Sequence, residues 1–148
     1  MKLSTKGRYG TRLMLDLAIH YGQGRILLKD IARRHNISER YLEQLLIPLK
    51  AAGLVRGIRG AHGGFMLARA PSEIKLLEIV QVMEGSTAPV ECVDDARVCN
   101  LSDRCVTRGV WVKMKKAIDG VLESTTLEDL KTENKKTEEV AVSGERCR

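Results

Sequence analysis

Between residues 27 and 67 the chain sets out a succession of elements that few folds accommodate. Leu28, Ile31 and Ala32 recur at helical spacing over residues 27–35, and Asn36 interrupts them. Ser38 then precedes a second helical pattern, residues 39 to about 52, with Tyr41, Leu42, Leu45, Leu46 and Leu49 on its apolar side. A serine there can accept an orphan amide of the first helical turn, and Gly53 is a natural stop. Pro48 lies inside the run, removes the donor for the Gln44 carbonyl and predicts a bend. A strand over 54–56, a loop over 57–64 with four glycines and a returning strand over 65–67 complete the stretch. Two helices across a tight turn, followed by a hairpin, are the order of a winged helix-turn-helix.

The flanking segments extend that unit. Residues 6–21 read as a helix with Leu13, Met14, Leu17, Ala18 and Tyr21 on one face, Ser4 and Thr5 as cap candidates, and Gly22 and Gly24 beyond its end. Residues 74–85 form another strongly apolar helix, and 86–90 a linker containing Pro89. Over 104–124, Trp111, Met114, Ile118 and Leu122 step at three- and four-residue intervals. That stripe has little of its own domain left to cover, so it predicts pairing with a second copy of the chain. Residues 127–130 read as a last helical turn. The expected fold class is mainly α with a small β-hairpin wing, a winged helix-turn-helix domain plus a long dimerisation helix. Its expected parts are residues 1–85 (DNA-binding domain), 86–105 (cysteine loop), 106–131 (dimerisation helix and terminal turn) and 132–148 (a polar, aperiodic, disordered tail).

Charge points the front half at a polyanion. Residues 1–70 hold thirteen Lys and Arg against four Asp and Glu, while the whole chain carries +6. With aromatic content at 3%, base-stacking material is scarce, which favours double-stranded DNA over single strands. Lys6 and Arg8, with Lys2 and Arg12, are candidate phosphate contacts. Ser38, Arg40, Tyr41 and Gln44 lie near the start of the second helix of the pair and suit the major groove, where arginine pairs with guanine and glutamine with adenine. Arg59, at the hairpin tip, is placed for the minor groove. Two-fold symmetry of a homodimer would match a palindromic operator. The glycine loop lacks the order of a phosphate-binding loop and does not open onto a helix.

Cys92, Cys99 and Cys105 are spaced C-x6-C-x5-C on a polar loop, where thiolates can converge on one soft metal or cluster. Spacing alone leaves an iron–sulfur cluster and zinc equal, with a thiol–disulfide sensor as a third reading. Glu91, Asp94, Asp95 and Asp103 are local oxygen donors for a fourth position; His20, His35 and His62 lie on other elements, and Cys147 could reach in from the tail. No apolar run approaches the roughly 20 residues that span a bilayer, and residues 1–10 lack a signal-peptide pattern. A cytoplasmic protein that does not engage membrane is therefore expected. No nucleophile–base pair stands out, so an enzyme is not expected. An iron–sulfur carrier would explain the cysteines but not the basic front half. A metal-free DNA-binding protein controlled by partner binding is the remaining class.

KGRYGTRLMLDLA, ISERYLEQLLIPLKAAGLV, RGIRGAHGGFML and the cysteine loop ending CVTRGVW together resemble the IscR-type winged-helix transcription regulators, over about residues 1–131. The resemblance implies a homodimer that binds DNA through the second helix and wing. It also implies an iron–sulfur cluster on Cys92, Cys99 and Cys105, [2Fe–2S] ahead of [4Fe–4S], with zinc as the alternative. Ser38, Arg40, Tyr41, Glu43, Gln44 and Arg59 match the family's DNA-reading positions. Where the IscR branch places a ligating histidine three residues after the third cysteine, this chain has Arg108, which cannot ligate. Other branches draw a carboxylate from near the position of Arg8, which is also cationic. The fourth ligand stays open.

Overall fold

The computed structural model describes residues 2–146. Helix α1 spans Thr5–Ile19 and is capped by Ser4, whose Oγ accepts the Gly7 N–H at 3.0 Å. The Ser4 N–H and hydroxyl both donate to Glu84 Oε1, at 3.0 and 2.5 Å, so the same residue pins α1 to helix α4, Leu76–Glu84. Close approach of the two helices depends on absent side chains: a Cβ on Gly10 would stand 2.5 Å from Met83 Sδ. Leu13, Met14, Leu17 and Ala18 are buried as their spacing predicts. Tyr21 is not part of that face. The helix stops at Ile19 and leaves Tyr21 exposed in the following turn.

Helix α2, Leu28–His35, ends at Asn36, which takes the left-handed conformation (φ 52°) that asparagine tolerates. Helix α3, Glu39–Ala51, continues through Pro48 and buries Leu42, Leu45, Leu46 and Leu49. Strands β1 (Val55–Ile58) and β2 (Gly64–Leu67) pair antiparallel from Val55↔Leu67 to Ile58↔Gly64. The ladder thus takes in Gly57, Ile58 and Gly64, which read as loop in sequence. Ile26 adds a third edge: its N–H donates to the Phe65 carbonyl at 2.8 Å and its carbonyl accepts the Phe65 N–H at 2.9 Å. A single core joins these elements, from Leu13 and Met14 on α1 to Ile79 and Met83 on α4.

Beyond α4 the chain changes character. Three 3-10 turns, Glu91–Val93, Ala96–Val98 and Ser102–Arg104, carry the cysteine loop. Helix α5, Val106–Glu123, follows, with none of its residues buried among the described residues. The chain then returns to the core. Leu76 N–H donates to the Thr125 carbonyl at 2.9 Å, Leu127 N–H donates to the Ile74 carbonyl at 3.0 Å, and Leu127 is fully buried.

Helix α6 runs from Leu127 to Arg146, which corrects the expectation of disorder after residue 131. Apolar periodicity ends at Leu130, so the burial signal stops there. A reciprocal cap starts the helix: Thr126 Oγ1 accepts the Asp129 N–H at 3.2 Å, and Asp129 Oδ2 accepts the Thr126 N–H at 2.8 Å. Glu, Lys and Ala then carry it by propensity. Cys147 lies outside the described residues. No helix among the described residues is long and apolar enough to cross a membrane.

Candidate nucleic-acid interface and cysteine loop

With Leu42, Leu45, Leu46 and Leu49 fixed in the core, the opposite face of α3 turns outward. Arg40, Glu43 and Gln44 are exposed there. Ser38 is exposed at the cap, its Oγ accepting the Tyr41 N–H at 3.2 Å. Tyr41 is half-buried, and its ring meets Tyr9 edge-on at 6.0 Å and 89°. The Arg12 guanidinium lies over the other member of that pair, 5.4 Å from the Tyr9 centroid. Tyr41 is therefore anchored between α1 and α3. Lys6 and Arg12 stand three residues either side of Tyr9 and share its face. Lys6 and Arg8 are both exposed.

The wing is tied to the same helix. Lys50 Nζ sits 5.7 Å from the Phe65 ring centroid, joining the end of α3 to β2. Arg59 is exposed at the hairpin tip, as is His62. The tip closes with the Gly63 N–H donating to the Gly60 carbonyl at 2.9 Å. Gly60 has φ 107°, and a Cβ on Gly63 would lie 2.6 Å from the Ile58 carbonyl oxygen.

Asp16 is a determinant that the sequence reading missed. It is 4% exposed and binds Arg34 through two hydrogen bonds, 2.8 and 2.6 Å, and His35 Nε2 at 2.8 Å. His20 Nδ1 lies 3.3 Å from its other oxygen. Burial alone would raise the Asp16 carboxyl, but the hydrogen bonds from Arg34 and His35 outweigh it and hold it below the ordinary carboxylate value. The Asp16 bond in turn raises Arg34. His20 and His35 thus serve the α1–α2 junction. The readable signal was a lone carboxylate inside the apolar spacing of Leu13, Leu17 and Ala18.

The cysteine loop is held on α5 by polar bonds. Arg108 Nε donates to the Cys92 carbonyl at 2.8 Å, which docks the first turn of the loop on the start of the helix. Thr87 ties the preceding linker to Asp119 on α5, Ser86 bonds Asp94 within the loop, and Lys115 Nζ on α5 lies 4.0 Å from Asp94 Oδ1. Cys105 is the residue that caps α5, with Thr107 Oγ1 3.2 Å from its Sγ. The Thr107 hydroxyl, then the Arg108 amide, lower the thiol below its ordinary value. Cys92 and Cys105 are half-buried and Cys99 is exposed. Among the described residues no three Cys, His, Asp or Glu side chains are gathered closely enough to hold a metal ion. The donor chemistry nevertheless suits a soft metal. Between Cys99 and Cys105, Ser102 Oγ is buried with no hydrogen-bond partner among the described residues, and a metal-bound sulfur could accept its hydrogen bond.

A capped helix with an outward polar row, braced by a cationic wing and a basic first helix, makes this a winged helix-turn-helix protein, the architecture of many DNA-binding regulators. The family model "Rrf2: Iron-dependent Transcriptional regulator" matches residues 3–133. The chain belongs to the Rrf2 family. It is 47% identical over 130 residues to the HTH-type transcriptional regulator CymR of Bacillus subtilis, covering 88% of this chain and 89% of that one. Protein rrf2 of Nitratidesulfovibrio vulgaris is 42% identical over 130 residues, covering 88% and 87%. The solved structure of T. potens IscR superposes with a TM-score of 0.76 at 46% identity, covering 90% of this chain and 88% of that one.

Proposed function

We propose that this protein binds a two-fold symmetric duplex operator as a homodimer, and that the state of its cysteine loop sets its affinity. One observation carries the reading: Cys105 occupies the N-cap position of α5, a helix whose stripe of Trp111, Met114, Ile118 and Leu122 is only half-buried and whose Val110 and Val121 are exposed. Whatever orders the loop therefore acts at the start of the helix that would join two winged modules. Arg40, Glu43, Gln44 and Ser38 read base edges in the major groove, Arg59 enters the minor groove, and Lys6 and Arg8 neutralise phosphates. Tyr41 holds the reading helix against α1 through Tyr9.

Cys92, Cys99 and Cys105 hold an iron–sulfur cluster in this reading, [2Fe–2S] ahead of [4Fe–4S]. Three thiols on one loop support it, as does a family described as iron-dependent. Such a cluster supplies sensitivity to iron supply and redox state. Arg108 cannot complete the ligand set. Zinc on the same thiols is the second reading, and a thiol switch the third.

The test is made on full-length protein purified without oxygen. Visible absorption and iron, acid-labile sulfide and zinc per subunit are measured, and duplex affinity is compared with that of the C92A/C99A/C105A variant. Matched iron and sulfide, with a changed affinity in the variant, is the expected result. Stoichiometric zinc, or equal affinity with and without the cysteines, would overturn it. Arg59→Ala tests the wing separately, by loss of operator affinity at constant salt.

A further inference from the structure

Helix α3 presents four side chains outward at i, i+3, i+4 and i+7: Arg40, Glu43, Gln44 and Ile47. Three are polar. The fourth is an isoleucine that is 65% exposed, while the aliphatic needs of the helix are met on its other face by four buried leucines. Single exposed apolar residues are common on protein surfaces. Ile47 differs in lying within the row that faces outward beside the wing, and in what its conformation costs. A β-branched residue is a mediocre helix former, and the residue before a proline resists helical backbone angles, yet Ile47 is helical and precedes Pro48. Its own side chain, left 65% exposed, gains little burial to offset the first of these costs.

We infer that Ile47 reads the C5-methyl group of a thymine in the major groove, one turn along α3 from Gln44. Thymine is the base that presents a methyl group in that groove, and apolar side chains recognise it. The side chain suits the task because a helical isoleucine keeps one χ1 rotamer about 90% of the time, so its methyl groups are aimed before DNA arrives. The inference rests on the DNA-binding reading above and adds a specificity determinant that works without a hydrogen bond.

The experiment uses the full-length protein, purified without oxygen, and an operator selected by it from a randomised duplex pool. Each thymine is replaced in turn by uracil, which deletes only the methyl group. Wild type and Ile47→Ala are titrated on every duplex, with Gln44→Ala as a second probe. One thymine per half-site is expected to matter to wild type, with an affinity loss of about fourfold to tenfold on its replacement. Ile47→Ala should show the same loss on the thymine duplex and no further loss on uracil. Wild type indifferent to every replacement, or a thymine preference that Ile47→Ala keeps, would overturn the inference. If Gln44→Ala still changes base preference in that case, the DNA-binding reading survives alone; if no duplex is selected, both fall.

Discussion

Helix α1 buries seven of its fifteen residues, whereas helix α5 is eighteen residues long and buries none among the described residues. Both carry apolar stripes of similar sequence character. The stripe of α1 finds α3, α4 and α6 in its own chain. That of α5, Trp111, Met114, Ile118 and Leu122, is only half-buried, and Val110 and Val121 beside it are 51% and 66% exposed. The winged module is therefore stabilised by what it contains. The loop and α5 are held by surface polar bonds and by partial packing on α4, and leave apolar surface uncovered.

The sharpest way to test the self-sufficiency of the front is at Asp16. Asp16→Ala leaves Arg34 and His35 without their carboxylate, and should cost on the order of 3 kcal/mol in urea unfolding. The sign of its pH dependence follows from the lowered carboxyl. Its contribution is present above the unfolded carboxylate value of about 4 and is lost as pH falls through the lower folded value. The variant should accordingly show a shallower fall in stability below about pH 4 than wild type. An unchanged acid profile would mean that the cluster does not hold α1 to α2.

In the rear a different kind of loss is expected. Val121→Glu changes a side chain that its own chain does not cover, so helical circular dichroism should persist. Sedimentation should then show a monomer where wild type is a dimer. Operator affinity should fall by about tenfold or more, because each half-site binds alone. Retained dimer would send the α5 stripe to another partner.

The sequence was most informative where burial and local chemistry coincide. Leu42, Leu45, Leu46 and Leu49 define α3, and Ser38 and Asn36 mark its turn through a cap and a left-handed residue. It was silent where partners are distant in the chain. Asp16 meets Arg34 and His35 across eighteen and nineteen residues, and Ile26 reaches Phe65, which no period reveals. The cysteine spacing marked the candidate loop, but not that Arg108 would dock the Cys92 carbonyl. Nor did it show that the three thiols would remain apart.

Arg108→Ala should therefore have a modest, local effect. Removing a partly buried charged donor leaves the Cys92 carbonyl to water, at about 1 kcal/mol or less. Global unfolding should hardly move, while limited proteolysis of the metal-free protein should speed up between residues 91 and 105. Equal proteolysis would mean that Ser86, Thr87 and Lys115 hold the loop unaided.

The smallest effect should come from ending the chain after Lys131. Beyond that residue only Asn134 is half-buried among the residues whose burial is described, and the others are exposed. This part of α6 follows from the Thr126–Asp129 cap and from helix propensity, not from packing. The anchoring residues, Leu127 and Leu130, precede the cut. Stability should change by less than about 0.5 kcal/mol, as for surface substitutions away from special features, with operator affinity unchanged. A larger loss would place the distal turns of α6, including exposed Val140 and Val142, with α5 among the surfaces that need a partner. The division between a self-contained front and a dependent rear would then extend to the end of α6.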